Sequence, residues 1–265
     1  MTEKQKISDL LETEYLGRNL FYFERLGSTN DFLKNTAKEL PDGCVAVTTE
    51  QFAGKGRRGN KWLSQKGQMV AISVLLKGHL SAAAPPVTLL CGLATAEALS
   101  TLCGGEFLIK WPNDIVCDGK KICGILCEAK LSDSGCSTVC GIGVNLTQSP
   151  DFFINSGILH GASLKMLTGK TFEPEQVVAA ILNRFEKIYT AVLLGTNVAS
   201  ETFFAAYTKI CVTLGKEIKA VTADSEICGV AQAVSSDGSL KVQCLDKTVT
   251  LTAADVSVRG IMGYV

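Results

Sequence analysis

Residues 107–128 read FLIKWPNDIVCDGKKICGILCE, and this stretch decides the fold. Segments 107–110, 115–117 and 122–128 are short apolar, β-branched runs. Asp118-Gly119 joins the second to the third, a hairpin turn because both residue types tolerate positive φ. A further run at 137–142 adds a fourth strand of local, antiparallel character. Upstream the pattern differs. Segment 20–25 is apolar and aromatic enough for a strand, and Ser28, Thr29 and Asn30, all good N-cap types, then open an amphipathic run over 31–40. Pro41, Asp42 and Gly43 make a turn, 44–49 alternates as a strand, and 69–76 is a continuous apolar run of the kind a buried strand shows. A strand–helix–strand unit beside local hairpins predicts a mixed sheet, hence the α+β class.

Helices and a second domain follow from the same reading. Pro85 and Pro86 precede 87–103, whose apolar residues recur at helical spacing. In 176–194, Val177, Val178, Ile181, Leu182, Phe185, Ile188, Tyr189 and Val192 share one helical face. After Gly215 come short alternating runs at 218–221, 227–233, 239–244, 248–251 and 256–259. Asp224, Asp237 and Gly238 punctuate them, as in a small β barrel. The domain boundary falls near Val212.

Composition limits the function classes. Of 265 residues, 26 are basic and 26 acidic, so bulk electrostatic attachment to nucleic acid or membrane is not expected. No run approaches the ~20 apolar residues of a membrane span, and the first residues form no signal-type apolar region, so a cytoplasmic location is expected. Eleven cysteines contain no CxxC pair, and the histidines are only His79 and His160. Cys117, Cys123 and Cys127 come nearest to a ligand cluster in sequence. Buried free thiols are the better reading, and no metal site is expected.

Charge is nevertheless concentrated locally. From Gln51 to Ala96 there is no acidic residue, while Lys55, Arg57, Arg58, Lys61, Lys66 and Lys77 fall there. Gly54, Gly56 and Gly59 interleave with these cations and run up to Trp62. Glycines that permit positive φ and close amide approach, combined with cations, are phosphate-binding physics. The spacing matches GxGxxG, but no acidic residue lies about 20 positions on, so a dinucleotide fold is excluded; Asn60 stands where a P-loop needs Lys. In Lys110-Trp111-Pro112-Asn113-Asp114, proline pushes Trp111 out of helical space and presents two polar side chains at a strand end. Gly141-Ile142-Gly143-Val144-Asn145 permits close backbone approach.

Taken in order, Ser28-Thr29-Asn30, Glu50-Gln51 with the GKGRRG loop and Trp62, the KWPND segment, Lys121-Ile122-Cys123-Gly124-Ile125 with Glu128, and the GIGVN segment resemble biotin protein ligase, the biotin-[acetyl-CoA-carboxylase] ligase family. The resemblance implies a class II synthetase-like mixed-sheet catalytic domain and an SH3-like barrel. The segments would be a lead segment at 1–17, the catalytic domain at 18–211 and the barrel at 212–265. It implies an enzyme that joins biotin to ATP as biotinyl-5′-AMP, releasing pyrophosphate with Mg²⁺, and then passes biotin to one lysine of a carrier domain.

By the same resemblance, Ser28, Thr29, Asn30 and Gln51 hold the ureido ring of biotin, and Gly54, Lys55, Gly56 and Arg57 close over biotin and phosphate. Lys121 contacts the carboxylate and the α-phosphate. Arg58, Trp62, Asn113 and Asn145 lie on the ATP side. Asp114 activates or orients the incoming amine, and with Lys121 and Arg57 it makes up the catalytic set. Two departures stand out. Lys55 replaces the usual first arginine of GRGRRG, which loses the planar fork. Only 27 residues precede Ser28, too few for the DNA-binding domain of bifunctional members, so no DNA binding is expected. Homodimers are common in the family. The competing readings are a lipoate or octanoate ligase, whose flexible substrate calls for a longer apolar tunnel, and a single-strand nucleic-acid binder using the basic loop and Trp62.

Overall fold

The computed structural model describes residues 1–78, 84–132, 135–193, 197–221, 225–253, 256–260 and 264; His79 and Asp224 lie outside them. Seven strands form the larger sheet: β1 (Leu20–Phe23), β2 (Val45–Thr48), β3 (Met69–Lys77), β4 (Leu108–Lys110), β5 (Asp114–Cys117), β6 (Lys120–Ser132) and β7 (Gly135–Asn145). Their order is β1-β2-β3-β7-β6-β5-β4. β1 and β2 are parallel because the helix α2 (Thr29–Thr36) carries the chain between them, and the remaining neighbours are antiparallel. The sheet is therefore mixed, as the pattern predicts. β6 and β7 outrun the expected segments because their ladder continues beyond the core, from Cys127↔Cys140 out to Ser132↔Gly135.

Strand parity decides the rest. In β3, Val70, Ile72, Val74 and Leu76 turn to one face of the sheet; in β7, Cys140, Ile142 and Val144 do so, and in β6, Cys123 and Ile125. There they meet α3 (Val87–Cys103) and α6 (Pro174–Leu193) in the main core, and α3 stops at Gly104, whose φ of 74° is left-handed. The intervening residues face the other side. Close to α2, that side is filled by Leu33, Ala46, Leu75 and Val139. Further along, the small residues Ala71, Ser73, Gly141 and Gly143 leave it open as a hollow.

The helix α1 (Glu3–Leu10) packs on α6, and Ile7, Leu11 and Leu16 are buried in the main core. The Glu186 carboxylate on α6 accepts from the backbone N–H groups of Glu14 (2.5 Å), Tyr15 (3.1 Å) and Leu16 (2.8 Å), which ties the lead segment down. Three further helices, α4 (Pro150–Asn155), α5 (Leu164–Thr168) and α7 (Asn197–Ile210), complete the first unit. The second sheet holds β8 (Glu217–Val221), β9 (Glu226–Val234), β10 (Leu240–Gln243), β11 (Thr248–Leu251) and β12 (Ser257–Gly260). It is antiparallel, in the order β11-β10-β9-β8-β12, and SH3-like. Among the described residues no helix is long and apolar enough to cross a membrane.

All eleven cysteines are free and seven are buried as expected, but Cys228 is exposed and Cys127, Cys136 and Cys244 are half-buried. Cys117, Cys123 and Cys127 do not cluster: Cys123 and Cys127 are four residues apart on one strand, about 13 Å at strand rise, and Cys117 is on β5 opposite Lys120. Cys127 is instead grouped with Cys91 and Cys140.

Candidate active site

A cavity of about 600 Å³ opens over the glycine-bearing face of β6 and β7. Its floor requires those glycines. A Cβ on Gly141 would stand 2.2 Å from Asn30 Oδ1, one on Gly143 2.7 Å from the Trp62 ring, and one on Gly124 2.9 Å from the same ring. Thus the close approach read from GIGVN serves side chains that lie flat on the sheet.

One end is neutral and interlocked. Ser28 caps α2, its Oγ accepting from Asp31 N at 3.3 Å, which places the next two residues at the helix start. Thr29 N donates to Gln51 Oε1 at 2.9 Å. Asn30 Nδ2 donates to Leu126 O at 3.1 Å and to Glu128 Oε2 at 2.8 Å. The buried Ser73 hydroxyl lies 2.6 Å from Asn30 Oδ1 and 2.7 Å from Thr29 Oγ1. Behind them Lys34 pairs with Glu128 at 2.6 Å, and Lys55 with Asp31 at 2.7 Å. Ser73 carries no motif signal, and only strand parity points it here.

The other end is cationic. Lys121 Nζ lies 2.5 Å from Asp114 Oδ1. Burial alone would raise the Asp114 carboxyl, but Lys121 and Lys110 outweigh it and hold the group below the usual carboxylate range. Lys110 is 6% exposed; burial, with Lys121, Arg259 and Arg57 nearby, pushes it down to about 8 despite Asp114. Arg57 donates to Asn113 Oδ1 at 2.9 Å, and to the carbonyls of Ala253 and, at 3.3 Å, Val256 in the second sheet. Arg58, at φ 54°, reaches Val221 O at 3.3 Å. Among the described residues Arg57, Arg58, Lys61, Lys110, Lys121 and Arg259 line this end of the cavity against the single carboxylate of Asp114, with Lys55 towards the other end.

The barrel thus forms one wall, and Trp111 bolts it on: Trp111 N donates to Thr213 Oγ1 at 2.9 Å and Trp111 Nε1 to Gly238 O at 3.0 Å. Tyr264 enters from the C-terminal end. Its hydroxyl donates to Asp114 Oδ2, its ring stacks on His160 at 5.1 Å, and Lys110 Nζ lies 3.7 Å above it. A lone aromatic 150 residues from Asp114 gives no sequence signal.

The expected residues are gathered unequally. Ser28, Thr29, Asn30, Gln51, Lys55, Gly56, Arg57, Arg58, Trp62, Asn113, Asp114 and Lys121 line one cavity. Asn145 does not: its Nδ2 donates to Ala162 O at 3.0 Å and its Oδ1 accepts from Gln148 at 3.0 Å, so both ends of the amide hold the turn after β7. Gly54 is beside the cavity, where a Cβ would meet Trp62 O at 2.5 Å. Of the three loop glycines only Gly59 takes positive φ, at 74°; Gly54 serves close approach instead. Trp62 Nε1 is buried with no hydrogen-bond partner among the described residues.

The geometry can be set beside known proteins. Residues 22–145 match the model of the Biotin/lipoate A/B protein ligase family, and residues 213–259 that of the Biotin protein ligase C terminal domain. The chain is 30% identical over 253 residues to the bifunctional ligase/repressor BirA of Bacillus subtilis, covering 93% of this chain and 76% of that protein. It is 31% identical over 236 residues to the biotin--[acetyl-CoA-carboxylase] ligase of Paracoccus denitrificans, covering 88% and 97%. The fold superposes on biotin protein ligase from Aquifex aeolicus in complex with biotin and ATP with a TM-score of 0.78, at 26% identity, covering 92% of this chain and 99% of that one. With two successive domain models matched in order and relatives aligned along most of its length, this chain belongs to the biotin protein ligase family.

Proposed function

We propose that the protein is a biotin-[biotin carboxyl carrier protein] ligase that activates biotin with ATP and then transfers it to a carrier lysine. The observation that carries this reading is a single cavity with a neutral hydrogen-bonding end at Thr29, Asn30 and Gln51 and a cationic end at Lys121 and Arg57. The ureido ring is uncharged and polar, and it suits the first end; the carboxylate and the α-phosphate are both anions, and they suit the second. Screening their mutual repulsion lowers the barrier more than any nucleophilic side chain would.

In the first step a biotin carboxylate oxygen attacks the α-phosphorus, an O–P bond forms, the bond to the β-phosphate breaks and pyrophosphate leaves. Lys121 bridges the carboxylate and the α-phosphate, Arg57 and Arg58 hold phosphate oxygens, and Trp62 packs against the nucleotide side. In the second step the lysine amine attacks the acyl carbon, AMP departs, and Asp114 takes or orients the amine proton. The GKGRRG loop and the barrel wall exclude water from the mixed anhydride.

Among the described residues Asp114 is the sole carboxylate lining the cavity, and Lys121 and Tyr264 engage its two oxygens, so these residues do not form a protein magnesium site. Mg²⁺ is read as entering on the ATP phosphates. A lipoate ligase would need a long apolar channel, whereas this floor is closed by Trp62 against Gly124 and Gly143.

The catalytic unit is taken as 18–211 with the barrel at 212–265, working in the cytoplasm and without DNA. A homodimer formed edge to edge would use the outer edge of β1, because β4 already bridges Cys211 through Ile109. Biotin-dependent exchange of labelled pyrophosphate into ATP, followed by labelling of a purified carrier domain, tests the reading; no exchange with biotin present rejects it. Duplex-DNA binding at moderate salt would reject the DNA clause, and a monomer at all concentrations by sedimentation the dimer.

A further inference from the structure

The main core contains three thiols that the reaction does not use. Cys91 is on the second turn of α3, and Cys127 and Cys140 face each other across β6 and β7. Their sulfurs all lie within 4.8 Å of one another. Three elements distant in sequence therefore deliver one sulfur each to a common point. Among the described residues no other group of histidine, cysteine and carboxylate ligands converges in this way.

From this convergence the geometry points to a soft-metal site: Cys91, Cys127 and Cys140 bind one thiophilic closed-shell cation, of the Zn²⁺ or Cu⁺ class, in a three-sulfur ring behind the floor of the biotin cavity. Thiolate ligands select such ions over hard ones. With metal–sulfur bonds of about 2.3 Å, a trigonal ring needs sulfurs ~4.0 Å apart, so each sulfur has to move by only on the order of 0.5 Å. A disulfide would join two sulfurs and leave the third without a role.

The surroundings also suit an anionic metal–thiolate unit. The Thr88 hydroxyl, one turn before Cys91, hydrogen-bonds Cys127, and both residues are near the N-terminus of α3, where the helix dipole favours negative charge. Cys91 and Cys140 are buried and Cys127 is half-buried as a residue. Leu126 and Glu128, which flank Cys127, receive the Asn30 amide on the opposite face, so the ion would brace the floor under the ureido end.

Binding of Cd²⁺ to the reduced, chelator-stripped, full-length protein tests this without reference to catalysis. One equivalent should bind per chain by native mass spectrometry, with a sulfur-to-metal absorption in the near ultraviolet that saturates at the same stoichiometry. Parallel titrations with Zn²⁺ and with Cu⁺ under anaerobic reductant tell the divalent from the monovalent ion by which one displaces Cd²⁺. Cys91→Ala and Cys140→Ala should lose the bound equivalent, and Cys228→Ser, on the exposed face of β9, should keep it. The wild-type titration decides alone if the core variants fail to fold. Absence of the absorption and of the mass increment overturns the proposal and leaves three packed thiols. So does a Cys127–Cys140 disulfide that forms under mild peroxide in a protein that never took up metal.

Discussion

The two ends of the cavity are built on opposite principles. At the neutral end, where the ureido ring is proposed to sit, the polar groups are already bonded to one another through Thr29, Asn30, Gln51, Ser73 and Glu128. At the cationic end, where the phosphate is proposed to sit, six cations surround one carboxylate among the described residues, and Lys110 has its pKa pushed down by burial. The first end is preorganised for a neutral ligand and changes little when it binds. The second stores unfavourable electrostatics that an anionic ligand relieves, so binding there is coupled to charge, pH and salt.

The comparison is broken most severely by Lys121→Ala. Biotinyl-AMP formation should fall by ~10²–10³, the typical worth of one transition-state charge contact. Its biotin affinity should fall only by about tenfold, the worth of one charge-assisted contact of about 1.5 kcal/mol to the carboxylate, since the neutral end is untouched; calorimetry and pyrophosphate exchange separate the two. Next, Arg57→Gly removes the link from the loop to Ala253, Val256 and Asn113. The variant should still make adenylate but release it, and mass spectrometry should find biotin on bystander lysines; strict carrier specificity would remove Arg57 from the retaining loop. At the neutral end, Gly141→Val drives a side chain onto Asn30, and a steric cost of roughly 1–3 kcal/mol weakens biotin binding by ~10–100-fold. ATP binding should be unchanged.

Smaller effects sharpen the contrast. Lys110 loses its proton in the free enzyme as pH rises through about 8, so kcat/KM for ATP should fall above that pH. The fall is about tenfold if one charge-assisted contact of about 1.5 kcal/mol is lost, and Lys110→Met should flatten the profile. The linkage to stability has the opposite sign. A lysine whose folded pKa lies below its unfolded value near 10.4 burdens the fold while protonated, and the burden lifts between about pH 8 and 10.4; this group therefore adds stability as pH rises there. Tyr264→Phe removes the hydroxyl that occupies Asp114 Oδ2. Asp114 becomes more basic and open, so transfer to the carrier should quicken by about threefold, the order of one modest hydrogen bond, with adenylation unaffected in single-turnover assays.

The same contrast explains what could be read from the chain. The neutral end was legible because Ser28, Thr29 and Asn30 are contiguous at a helix start, and the continuous apolar run at 69–76 placed a buried strand beside them. The mixed sheet and the second domain followed from turn chemistry and alternation. The cationic end was legible only in its loop, its KWPND segment and Lys121 of the segment that follows. Its remaining wall depends on contacts between residues 100 or more positions apart, such as Trp111 with Gly238 and Asp114 with Tyr264, and no local pattern encodes them. Asn145 shows the converse: a residue in a conspicuous motif whose amide is consumed by Ala162 and Gln148. The thiol cluster was hidden for the same reason, since spacing along the chain favoured Cys117 and Cys123, whereas strand register selects Cys140.

In the proposed reaction Lys121 and Arg57 act together on one anionic centre. A crystal structure of the protein with biotinyl-5′-AMP tests it most directly. The account predicts Lys121 Nζ and the Arg57 guanidinium both within hydrogen-bond distance of the acyl-phosphate group, with the ureido ring between Thr29 and Gln51. An intermediate whose phosphate meets neither cation, or a ring bound at the Arg57 end, would contradict it.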